Sequence, residues 1–172
     1  MNVALVVLNM QKAFFNGASR KSMENASIEI NAAIALFREH NKKVLWIQDE
    51  HKQCGNIKGT EGGEIIDALQ PKEHEKRIRK HYTACFSKAE FDDYLSAENI
   101  KALIVTGYYP QYSRLDTYSN PSGVTIHYLK DALAGEAKEP AADTNSLTII
   151  EIIEMLSSFI TMSELEKMIK DH

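Results

Sequence analysis

An α/β fold of three layers, with a parallel six-stranded sheet doubly wound by helices, follows from two patterns in this chain. Its strand-like runs are apolar throughout, as in Val3-Ala4-Leu5-Val6-Val7-Leu8 and Ala102-Leu103-Ile104-Val105, which implies burial on both sheet faces. These runs alternate with amphipathic stretches, the pattern of parallel strands joined by right-handed helical crossovers. The 172 residues, 44% of them hydrophobic, fit a single domain spanning residues 1–172. No repeat, linker or low-complexity tract divides it.

The elements follow in order. Val3 to Leu8 is the first strand. Met23 to Glu39 is a helix, with Ile30, Ile34 and Phe37 on one face. Lys43 to Gln48 is the second strand. Gly59-Thr60-Glu61-Gly62-Gly63 is a loop that opens a short helix through Ile65, Ile66 and Leu69, stopped by Pro71. Arg77-Ile78-Arg79 is a short third strand and Glu90 to Leu95 a helix. Ala102 to Val105 is the fourth strand. The segment after Gly107 turns and becomes helical through Leu115 and Tyr118, until Asn120-Pro121-Ser122-Gly123 breaks it. Val124 to Leu129 is the fifth strand, Thr148 to Leu156 a helix, and Phe159-Ile160-Thr161 the sixth strand. Ser163 caps a last helix, with Glu166 completing a capping box.

Charge and cysteine content narrow the function. A net charge of −4 argues against nucleic acid as a partner, because phosphate binding needs clustered positive charge. The one basic run, Lys76-Arg77-Ile78-Arg79-Lys80, reads as a solvated strand edge carrying one functional lysine. Two cysteines, Cys54 and Cys85, make no disulfide framework, so a reducing cytoplasm is the expected compartment. The opening apolar run is too short for a signal peptide, and no segment reaches membrane-spanning length. No membrane partner and no cofactor are expected.

Doubly wound sheets hold ligands at the carboxyl ends of their strands. Asn9, Asp49, Lys80 and the Gly107 turn all fall at such ends. The first strand runs into Asn9-Met10-Gln11, followed by Phe14-Phe15. Gly59-Thr60-Glu61-Gly62 leads to Lys80-His81-Tyr82-Thr83-Ala84-Cys85-Phe86, then Phe91 and Leu95. The fourth strand delivers Thr106-Gly107-Tyr108-Tyr109-Pro110-Gln111-Tyr112-Ser113. Lys130-Asp131-Ala132 and Phe159-Ile160-Thr161-Met162-Ser163-Glu164-Leu165 follow.

In order and spacing these motifs resemble the isochorismatase-like hydrolase family, which includes nicotinamidases and related cysteine amidohydrolases. The resemblance spans nearly the whole chain and implies that family's Rossmann-like fold. Amide-cleaving members use an Asp, Lys and Cys triad: the carboxylate takes the thiol proton, the lysine polarises the pair, and the thiolate attacks a carbonyl. By position these roles fall on Asn9, Lys80 and Ser113, so only the lysine is kept. A carboxamide cannot accept a proton at neutral pH, and a hydroxyl is far less acidic than a thiol. The vinyl-ether route of true isochorismatases dispenses with the cysteine but still needs the aspartate. The resemblance places the oxyanion turn at Tyr109 and Ser113, with Phe14, Tyr108 and Tyr112 lining the pocket. It also implies a cis peptide at Tyr108–Tyr109 or at the following Pro110, and a homo-oligomer.

Other residues have plainer readings. Asp49 and His51 resemble the metal-binding Asp-x-His of nicotinamidases. The loop Lys52-Gln53-Cys54-Gly55-Asn56 supplies no further histidine, and two ligands rarely hold a metal, so no metal site is expected. Cys85 reads as a buried inert thiol, His127 as a core histidine with one hydrogen bond, and Trp46 as core. Two functions stay open. One is a family member with lost or strongly reduced hydrolase activity that binds a small molecule. The other is an active small-molecule hydrolase using Ser113 with Lys80 as base, which requires an uncharged lysine.

Overall fold

The computed structural model describes residues 2–80, 88–108, 123–135 and 158–170. Within them, strands β1 (Val3–Leu8), β2 (Lys43–Asp49), β3 (Lys76–Lys80), β4 (Ala102–Tyr108), β5 (Thr125–Ala134) and β6 (Ser158–Ile160) form one sheet. The order is β3-β2-β1-β4-β5-β6, and every pairing is parallel. This is the doubly wound six-stranded sheet the sequence predicts.

Side-chain alternation along the buried strands divides the core in two. Val3, Leu5 and Val7 of β1 face helix α1 (Gly17–Glu39) and helix α3 (Met162–Lys170), against Met23, Ile30, Phe37, Leu165 and Ile169. Ala4, Val6 and Leu8 face the other way, with Phe91 and Leu95 of helix α2 (Lys88–Ala97). Trp46 is core, as expected, and its indole N–H donates to Glu75 Oε2 at 2.7 Å.

Five expectations need correction. Helix α1 begins at Gly17, six residues before Met23. Its first turns carry few apolar residues, so hydrophobic periodicity does not register them; Ser19 Oγ instead donates to the Phe14 carbonyl at 2.6 Å. No helix forms through Ile65, Ile66 and Leu69. Ile65 bridges antiparallel to Gln11, and the Ile66 amide donates to the Met10 carbonyl at 3.0 Å, so the loop after β1 takes the backbone groups a helix would need. The capping box at α3 uses Thr161 and Glu164: the Thr161 amide donates to Glu164 Oε2 at 2.7 Å, and the Glu164 amide returns to Thr161 Oγ1 at 3.3 Å. Both Thr-Met-Ser-Glu and Ser-Glu-Leu-Glu fit the pattern, and the chain uses the one next to the strand end. Finally, β5 runs on to Ala134, with a register shift against β4 between Val105 and Gly107 and with Asp131 at φ 67. His127 on this strand is half-buried rather than core; its Nδ1 lies 2.7 Å from Ser158 Oγ, and burial lowers its pKa. The helices expected through Leu115 and over Thr148 to Leu156 lie outside the described residues. Among the described residues no helix is long and apolar enough to cross a membrane.

Glu75 ties α1 to the sheet. Its buried carboxylate accepts from Arg38 Nε at 2.8 Å, from Trp46, and from the Lys72 amide at 2.9 Å. Burial pushes this carboxyl up, but Arg38 and the other donors outweigh it and hold it below 4.5. Its contribution is therefore complete above about pH 4.5 and fades as pH falls through the lowered value. Melting temperatures of the wild type and Glu75→Gln are expected to differ most near neutrality and to converge on acidification. A gap that widens in acid would contradict this account.

Gly107 at φ 108 fixes the joint between β4 and β1. A Cβ there would lie 2.6 Å from the Leu8 amide nitrogen and closer still to the Leu8 carbonyl oxygen. Gly107→Ala is expected to lower unfolding free energy by about 3 kcal/mol or more, read by denaturant titration. A loss of only a few tenths would show that the joint relaxes freely.

Candidate functional site

The strand order reverses at β1, whose neighbours β2 and β4 lead the chain away to opposite sides. A crevice outside the carboxyl ends at such a point is the ligand site of doubly wound sheets. Asn9 stands there. Its backbone turns at φ 50, in the left-handed region that asparagine tolerates better than most residues. The side chain is 5% exposed. Its Nδ2 donates to the Tyr108 carbonyl at 3.3 Å, while Oδ1 is buried with no hydrogen-bond partner among the described residues. The orientation is chemically fixed, because an oxygen facing that carbonyl would set acceptor against acceptor.

Lys80 ends β3 and is 2% exposed. In the register of β2 and β3 it pairs with Asp49, and Lys80 Nζ donates to Asp49 Oδ1 at 3.2 Å. Asp49 is itself held in place. Gln11 extends the ladder beyond β1, with Nε2 donating to the Asp49 carbonyl at 2.9 Å and Oε1 accepting from the Asp49 amide at 2.8 Å. Asn56 Nδ2 donates to Asp49 Oδ2 at 3.3 Å, and Asn56 Oδ1 accepts from the His51 amide at 2.8 Å. Gln48 Nε2 donates to the Gly63 carbonyl at 2.8 Å, which brings the Gly-rich loop to the same end of the sheet.

The sequence places Asp49 at a strand end and does not make it a metal ligand, but its pairing with Lys80 is not among the expectations. Aligning the ends of the second and third strands would have found it, since both residues close their strands. Among the described residues no group of three or more His, Cys, Asp or Glu side chains is placed to hold a metal. Cys54 is exposed, with Sγ 4.0 Å from His51 Nδ1. Phe14 and Tyr108 come together, their rings stacked at 5.2 Å. Tyr109, Tyr112 and Ser113, the cis peptide expected beside Pro110, and Cys85 lie outside the described residues.

The strand order and the polar residues gathered at the switch point are those of a doubly wound α/β protein with a ligand site at its carboxyl edge. Residues 3–151 match the isochorismatase domain, and the chain belongs to the isochorismatase family. It is 23% identical over 163 residues to the "Secreted isochorismatase effector Isc1" of Verticillium dahliae, covering 92% of this chain and 85% of that protein. It is 27% identical to a "Probable inactive nicotinamidase" of Arabidopsis thaliana, over 62% of this chain and 65% of that protein. The crystal structure of an isochorismatase-like hydrolase from Alkaliphilus metalliredigens superposes with a TM-score of 0.79 at 19% identity, covering 97% of this chain and 98% of that one.

Removing the Asp49 charge would leave the Lys80 ammonium buried beside neutral groups. Asp49→Asn is expected to cost about 3 kcal/mol of unfolding free energy, the scale of a broken buried ion pair. Denaturant titration reads this directly. A change below about 0.5 kcal/mol would show that the pair behaves like a surface contact.

Proposed function

We propose that this chain is a small-molecule-binding member of the isochorismatase family whose usual triad chemistry is lost or strongly reduced. The observation that carries the reading is the state of Asn9. Its amide N–H is committed to the Tyr108 carbonyl, a bond that an ionised carboxylate could not make. The position is thus built for an amide, which can neither take a thiol proton nor donate one as an acid. General acid–base groups contribute roughly 10²–10⁴ in rate, and this one is absent. Its open Oδ1 is a buried acceptor, the kind of atom that a ligand donor satisfies.

In this reading Asn9, Lys80 and Ser113 take the triad positions without its chemistry, Tyr109 and Ser113 mark the oxyanion turn, and Phe14, Tyr108 and Tyr112 line the pocket. The resemblance to a relative named as an inactive nicotinamidase supports it. The alternative, Ser113 activated by Lys80, is weakened by the Asp49 carboxylate, because a lysine acting as base must give up that ion pair. The exposed free thiol of Cys54 fits a reducing cytoplasm, and a homo-oligomer follows by family likeness.

The test compares wild type with an Asn9→Asp, Ser113→Cys double variant on nicotinamide, other simple amides and isochorismate. Wild-type rates are expected near background, and the variant is expected to gain at least about 10²-fold on one substrate. Turnover by the wild type at ordinary enzymatic rates, abolished by Lys80→Ala, would overturn the reading.

A further inference from the structure

We propose that a basic cleft at the amino ends of β2 and β3, on the opposite end of the sheet from Asn9 and Lys80, binds a small polyanion carrying two or more phosphate groups. The cleft has a volume of about 600 Å³, within the range of small-ligand sites. Six cationic side chains line it: Arg38, Lys42 and Lys43 from the end of α1 and the start of β2, and Lys72, Lys76 and Arg77 from the approach to β3. Only two carboxylates, Glu75 and Glu98, line it with them. The excess is local, since the whole chain carries 24 acidic against 20 basic residues.

The ion pairs separate the structural cations from the remaining ones. Arg38 is spent on Glu75, Lys43 on Glu98 at 2.8 Å and Lys76 on Glu90 at 2.6 Å. Lys42, Lys72 and Arg77 make no salt bridge among the described residues. Three unbalanced cations around one cavity repel each other, and a multivalent anion relieves that repulsion where a monovalent one would not. The floor beneath them is rigid. Glu75 holds Arg38, the Trp46 indole and the Lys72 amide together, and Arg38 also donates to the Gln70 carbonyl at 2.8 Å. Tyr94 lines the cleft as well. Burial, with help from Glu98, pushes its hydroxyl up to about 12, so it stays a neutral donor for a phosphate oxygen. A nucleic-acid strand fits less well, because the chain as a whole carries a net charge of −4.

The experiment is calorimetric titration of the full chain with inorganic triphosphate at low and high ionic strength. One saturable site per chain is expected, weakened by salt and weakened roughly ten-fold or more by either Lys72→Glu or Arg77→Glu. Lys21→Glu, an exposed reversal on α1 away from the cleft, is expected to leave affinity unchanged. Triphosphate should also raise the melting temperature of the wild type and not that of the cleft variants, which are exposed positions expected to melt normally without ligand. Absence of saturable binding, several weak equivalent sites, or equal weakening by Lys21→Glu would overturn the proposal. So would cleft variants that dissociate an oligomer in sedimentation yet bind triphosphate as before, since the face would then serve a second copy of the chain. None of these outcomes depends on whether Asn9 supports hydrolysis.

Discussion

The backbone of β4 lies directly against the end of β1, and the site is organised around that contact. Gly107 has no side chain to hold the strands apart, so Leu8 and Gly107 stay in register to the last residue. Immediately beyond, Asn9 turns into the left-handed region and its amide reaches the Tyr108 carbonyl. The switch point is thus closed by backbone at its base and by one polar side chain at its rim. Any group larger than hydrogen at position 107 would move the rim with it.

On the other side of β1 the same rim is held by side chains that act as backbone. The Gln11 amide pairs with the Asp49 peptide through both of its polar atoms, which continues the ladder past the end of the strand. That places the Asp49 carboxylate where the buried Lys80 ammonium needs a counter-charge. An amide stands at the end of β1, and the neighbouring strand supplies the carboxylate that accompanies the lysine. The counter-charge for Lys80 therefore comes from the end of β2 and not from residue 9.

Much of this was legible in the chain itself. Unbroken apolar runs located most of the strands, their spacing gave parallel order, and strand-end motifs gave the family. What escaped was set by contacts distant in sequence. Ile65, Ile66 and Leu69 have a helical spacing, but Gln11 and Met10 claim the backbone of Ile65 and Ile66. The start of α1 is polar, so hydrophobic periodicity has nothing to report there. Two overlapping capping patterns precede α3, and only the strand ending at Ile160 decides between them. The pairing of Asp49 with Lys80 depends on register, which composition does not encode.

A parallel sheet buried on both faces is most vulnerable to unwanted strand addition at its two margins. Among the described residues β3 and β6 each have one neighbour. β6 is three residues long, too brief to template much. β3 carries cationic side chains on both sides of a single isoleucine, and an incoming strand would have to desolvate the exposed Arg77. Among the described residues the lateral boundaries are thus protected by brevity on one side and by charge on the other, which works against fibre-like growth of the sheet.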